Sequence, residues 1–189
     1  MFNFLTKNKS LVTLLFINSI FVLAANMFPP LFALFVKEVG GNALSAGSLW
    51  AVFAIVTGIL TMIISRHGDR LKETEYLIAG GYACRAIAWI GYFFSHSLWQ
   101  LYILQLLLAI GESLGTPAFN AIYSKHLNIG NYVKQWGINN SLNSIIMGIA
   151  ALLGGIIVFQ LGFRTLFAIM ASLSIISFVF LMIQPRKLL

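Results

Sequence analysis

Charge is what this chain has least of, and acidic charge is the scarcer kind. Its 189 residues hold five Asp and Glu against twelve Lys and Arg. The charged fraction is therefore 9%, where a soluble domain carries about a quarter. With 59% hydrophobic residues and a mean hydropathy of +0.90, folding in water would leave most of the apolar surface uncovered. An ordinary soluble globule is excluded. Cysteine occurs once, at Cys84, which excludes a disulfide framework and any CxxC metal motif. His67, His96 and His126 stand far apart, so neither a metal site nor a cofactor is expected. No acid–histidine pair falls at membrane depth, and an enzyme is not expected either. Proline is rare, but two of its four copies are adjacent at Pro29-Pro30. That pair removes two backbone donors and should kink the helix that contains it.

What fills the chain instead is six apolar stretches, at residues 11–36, 43–64, 76–94, 98–123, 137–159 and 163–183. At 1.5 Å of rise per residue, roughly 20 helical residues cross the ~30 Å of lipid tails. The expected fold is an all-α membrane protein, with six transmembrane helices in a single domain over residues 1–189. Short outer connections at 37–42, 95–97 and 160–162 alternate with longer polar ones at 65–75 and 124–136. This alternation divides the chain into two three-helix repeats.

The net charge of +7 is distributed by side. Lys7, Lys9, Arg66, Arg70, Lys72, Lys125, Lys134, Arg186 and Lys187 share one side, and only Lys37 and Arg164 lie on the other. Such a bias places both termini in the cytoplasm. The cell membrane is the expected location, with the lipid bilayer as partner and no nucleic acid. Lys7 and Lys9 followed by an apolar run could be read as a signal peptide. The run continues through Met27-Phe28-Pro29-Pro30, too long for a signal h-region, so a retained span is expected.

Arg85 is the costliest residue, since it falls about 15 Å into the third span, near the midplane. Glu112, ~10 Å from the inner surface in the fourth span, is the one acidic residue at comparable depth. The two are expected to pair, either as a charge pair in a transport path or as a clamp between neighbouring helices. Gln105, Glu112, Thr116, Asn120 and Tyr123 recur at helical spacing on one face of that span. Together with Asn26 of the first span, Gln105, Glu112, Thr116 and Asn120 are the candidates for a substrate path. Asn139, Asn140 and Asn143 are accounted for by hydration at the membrane interface. Small residues form stripes in the second span (Gly47, Ala51, Ala54, Gly58) and the fifth (Gly137, Ser141, Ser144, Gly148, Ala151, Gly155). Such stripes let helix backbones approach closely. Either they pack inside one chain or they meet another helix along their length.

The loop Ser65-Arg66-His67-Gly68-Asp69-Arg70 resembles the G-x-x-x-D-R-x-G-R-[RK] signature of the major facilitator superfamily. The Asp69-Arg70 core is kept, while Ser65, Lys72 and Glu73-Thr74 depart from the pattern. In the fourth span, Ala109-Ile110-Gly111 and Pro117 are similar to the family's second motif. Gln105 stands where the family often has an arginine tied to proton coupling. Leu153-Gly154-Gly155 through Phe167 looks like the matching stretch of the family's amino-terminal half. The resemblance covers all six spans and implies a half-size relative of transporters built from two such halves, with substrate between them. It implies a small-solute secondary transporter made of two copies of this chain, or of this chain with a second half-transporter. A membrane scaffold that lost transport, or the amino-terminal fragment of a longer transporter, are the alternatives. In the dimer, Gly47, Ala51, Gly58, Ser144, Gly148 and Gly155 would form the packing surface.

Overall fold

A computed structural model describes residues 9–68 and 74–184, and every regular element among them is helical. In lipid each backbone N–H and C=O must be satisfied within its own segment, so long apolar stretches become helices. The first apolar stretch forms α1 (Lys9–Asn26) and α2 (Phe32–Glu38). Between them the chain bends at Met27-Phe28 and makes a 3-10 turn over Pro29–Leu31, where the double proline denies the helix two donors. After them come α3 (Ala43–Gly68), α4 (Glu75–Phe93), α5 (Leu98–Lys125) and α6 (Tyr132–Ile183).

Side chains fix two starts. Asn42 Oδ1 accepts the Ser45 N–H at 2.9 Å ahead of α3. Gln100 Oε1 accepts the N–H groups of His96 (2.8 Å) and Ser97 (3.2 Å) ahead of α5. Both satisfy donors that the helix itself cannot.

The 52 residues of α6 would reach about 78 Å if straight, far beyond one bilayer. They are two helices joined at Gly162, whose φ of 79° and ψ of 172° are not helical. Two core clusters show that the chain reverses there. One gathers Met27, Phe28, Phe35, Trp89, Tyr92 and Leu101 with Ala150 and Phe163–Ala171 positions of α6. The other gathers Leu14, Ile17, Phe21, Ile78, Tyr82, Ile122 and Tyr123 with Leu181, and Trp136 packs on it. Running from Trp136 through Ala150 to Phe163 and back to Leu181, α6 leaves the second cluster, reaches the first and returns.

Two connections differ from their expected form. The connection at 160–162 is reduced to Gly162 alone, because a left-handed glycine turns the chain without a loop. At the other end of α6 the helix begins at Tyr132, inside the stretch expected to be loop. Gln135 ties this first turn down. Its Oε1 accepts the Asn128 N–H at 2.9 Å, and its carbonyl accepts the Tyr123 hydroxyl at 2.7 Å.

α4 packs against α5 and α6, α1 against α6, and α3 against α5. Large apolar side chains such as Phe16, Leu44, Ile55, Leu152 and Phe159 point outward, which suits lipid and not water. Val12–Glu38, Ala43–Arg66, Leu98–Lys125 and Tyr132–Ile183 are each long and apolar enough to cross a membrane.

Candidate functional site

α4 and α5 bring their backbones close together where both carry glycine. A Cβ on Gly81 would lie 2.8 Å from the Gly111 carbonyl oxygen and 2.8 Å from Gly115 Cα. One turn along α4 from this crossing stands Arg85, 8% exposed, and its Nη2 pairs with Glu112 Oε2 of α5. The guanidinium also lies 4.7 Å from the centroid of the Phe21 ring, an attractive cation–π geometry. Glu112 Oε1 accepts from the Thr116 hydroxyl, so both carboxylate oxygens are engaged.

The pair stands between two clefts, and Ala25, Asn26, Arg85 and Glu112 line both. The first cleft, about 350 Å³, is the more polar of the two. Asn18 and Asn26 of α1, Thr116 and Asn120 of α5, and Asn139, Asn140 and Asn143 of α6 line it. The second, about 240 Å³, is walled by Phe28, Phe32, Trp50, Phe53 and Trp89, with Gln105 beside them. The polar face read on the fourth span is thus divided. Thr116 and Asn120 open to the polar cleft and Gln105 to the aromatic one, with Glu112 at the boundary.

Asn26 reaches both clefts while its Nδ2 donates to the Val22 carbonyl at 2.8 Å. Hydration at an interface does not describe Asn139, which is buried with an Oδ1 that meets no donor among the described residues. Asparagine periodicity on α6 was the available signal: positions 139 and 143 are one turn apart, on the face turned to α1. Tyr82, whose hydroxyl donates to Asn18 Oδ1 at 3.4 Å, is a further lining residue that sequence alone does not single out.

Gly111-Glu112-Ser113-Leu114-Gly115 has the G-x-S-x-G spacing of a hydrolase nucleophile elbow. It is no elbow here. Ser113 is fully buried inside α5, and its hydroxyl donates to the carbonyls of Ala109 (2.7 Å) and Thr57 (3.1 Å), binding α3 to α5.

Among the described residues, the glycines of the small-residue stripes make no close helix contact. A Cβ at Gly47, Gly58, Gly148 or Gly155 would meet nothing within 4 Å, and Ala51 and Ser144 are exposed. Gly154 is the contrast, since its Cβ would strike the Met27 backbone at the break after α1. Asp69 and Arg70 lie outside the described residues.

With this geometry in place, the chain can be set beside known proteins. The sequence profile of the Major Facilitator Superfamily matches residues 14–188. The multidrug resistance protein MdtG of Escherichia fergusonii is 26% identical over 184 residues, which cover 94% of this chain and 44% of that protein. MdtG of Citrobacter koseri and of Salmonella arizonae are each 24% identical over 181 residues, 92% of this chain and 44% of theirs. The chain therefore spans less than half the length of the curated relatives it matches.

Proposed function

The chain belongs to the Major Facilitator Superfamily, an integral membrane family of transporters, and we propose that it is a six-span unit of a secondary transporter for a small solute. In this reading α1 and α2 together make the first crossing and the two parts of α6 the fifth and sixth, giving two three-helix repeats. Both termini face the cytoplasm of the cell membrane, following the positive-inside bias. A second six-span unit, a second copy of this chain, faces the clefts and encloses the solute path.

The observation that carries the reading is the ion pair of buried Arg85 with half-buried Glu112, set in the wall shared by a polar and an aromatic cleft. Ionisable groups at membrane depth are costly, and they persist where they face a partner or a wet cavity. Here they face both. A bundle that only packed against lipid would gain nothing from turning Thr116 and Asn120 outward. The relatives' names, multidrug resistance proteins, agree with movement of small organic molecules.

The test is access to the path from both sides. Single cysteines at Asn26, Thr116 and Asn120, in a Cys84→Ser background, are expected to react with a small membrane-impermeant thiol reagent from either face. Cysteines at Leu106 and Leu114 are expected to be protected. Labelling from one face only, or equal protection everywhere, would reject transport and favour a scaffold.

A further inference from the structure

Gln105 stands in the wall of the aromatic cleft with an amide that no described residue uses. The residue is 3% exposed, and neither Oε1 nor Nε2 has a hydrogen-bond partner among the described residues. Both atoms nonetheless keep accessible surface, whereas the indole nitrogen of Trp89 on the same wall is sealed. An amide among apolar groups costs free energy unless it is paired, and glutamine has both a donor and an acceptor to satisfy. A leucine or methionine at this position would carry no such cost.

Around the amide the cleft is made of rings. Phe28 lies 5.6 Å from Phe32, Phe32 6.1 Å from Trp50, and Trp50 5.5 Å from Phe53, centroid to centroid. Such faces attract another flat ring. The charged residues of the lining, Arg85 and Glu112, are paired with each other, and the second Glu112 oxygen takes the Thr116 hydroxyl. A charged ligand would therefore find no free counter-charge. The Asn26 Nδ2 is committed to the Val22 carbonyl. What the cleft offers is the Gln105 amide, a donor beside an acceptor. Its complement is a ligand edge with an acceptor beside a donor, so that two hydrogen bonds form together, as when glutamine reads the adjacent donor and acceptor of adenine.

We propose that the aromatic cleft binds a neutral, flat ring whose edge carries an N–H beside a carbonyl, as in a lactam, and that Gln105 selects it. Gln105 Oε1 accepts the ligand N–H, and Nε2 donates to the ligand carbonyl. The ring itself lies among Phe28, Phe32, Trp50 and Phe53. The claim that this molecule is cargo rests on the transporter reading, whereas the claim that it binds does not.

The probes are oxindole and 2-indanone, which share a bicyclic outline and a carbonyl and differ in the lactam N–H against a CH2 group. Binding of each to the purified protein in lipid nanodiscs is measured by equilibrium dialysis against empty nanodiscs, which removes partition into lipid. Oxindole is expected to bind about tenfold more tightly, because 2-indanone closes the cleft and leaves Gln105 Oε1 unpaired. Gln105→Met keeps the length of the side chain and removes the amide. It is expected to bring the ratio to about one by weakening oxindole alone, and retained 2-indanone binding shows that the cleft is intact. Trp50→Leu, at a side chain already 49% exposed, is expected to weaken both probes about threefold and to leave their ratio unchanged. A ratio of one in the unaltered protein, or no binding of either probe above empty nanodiscs, would overturn the proposal. Those measurements and Trp50→Leu suffice if Gln105→Met does not fold. A ratio unchanged by Gln105→Met, or binding of both probes unchanged by Trp50→Leu, would overturn it as well. Selective oxindole binding together with one-sided cysteine labelling would leave the site standing and remove its description as a transport site.

Discussion

Arg85 on α4 and Glu112 on α5 pair beside the crossing where Gly81, Gly111 and Gly115 bring the two backbones together. The glycines and the charges depend on each other. Without the close crossing the side chains would be held farther apart, and without the pair two ionisable groups would face low dielectric alone. Removing one member of a fully buried pair costs roughly 3–5 kcal/mol, and the half-buried Glu112 brings the expected cost here below that, most of it falling on the variant that leaves Arg85 uncompensated. Arg85→Leu and Glu112→Leu are each expected to lower the thermal unfolding temperature in detergent. The double variant is expected to recover part of the loss. Strictly additive losses would show that the two residues act independently.

Glycines in the two kinds of environment are expected to respond differently. Gly81→Val must push against the Gly111 carbonyl and the Gly115 backbone, and overpacking of this kind costs about 1–3 kcal/mol. Gly58→Val places its side chain in open space and is expected to leave unfolding of the isolated chain unchanged. Comparing the melting of the two variants, each against the parent, checks this.

Gly162 makes the reversal of α6 on its own. A residue with a Cβ is disfavoured at a φ of 79° by roughly 1–2 kcal/mol. Gly162→Ala is therefore expected to destabilise the protein by about that amount, while Gly155→Ala, in a helical and open position, is not. Equal melting of the two variants would mean that the reversal does not depend on glycine.

Composition and hydropathy carried the helical class, because lipid leaves the backbone few alternatives. The break at Pro29-Pro30 was legible for a similar reason, since proline's missing donor is a local fact that packing cannot repair. The start of α6 was not. Lys134 and Gln135 read as loop by polarity, and only the contacts of Gln135 with Tyr123 and Asn128 fold that polarity into a helix end. The site was legible in part. Comparable depth brought Arg85 and Glu112 under one reading, but depth does not say which way a side chain turns. Gln105 and Thr116 therefore appeared as neighbours on one face, although they line different clefts. Asn139 was hidden because the cleft it lines is completed by α1, α4 and α5, which lie far from it in sequence.

The proposed solute path requires a second six-span unit to cover what this chain leaves open. The polar cleft, with Thr116 and Asn120 exposed, needs a cover in lipid, and the open stripe positions Gly58, Ser144 and Gly148 offer a surface for close helix contact. The most direct measurement is the mass of the protein in lipid nanodiscs and mild detergent across a range of concentrations, for the parent and for Gly148→Leu. A dimer is expected for the parent, and a monomer with an unchanged fold for Gly148→Leu, whose side chain would separate the two surfaces. A parent that stays monomeric at every concentration in both media would contradict the account.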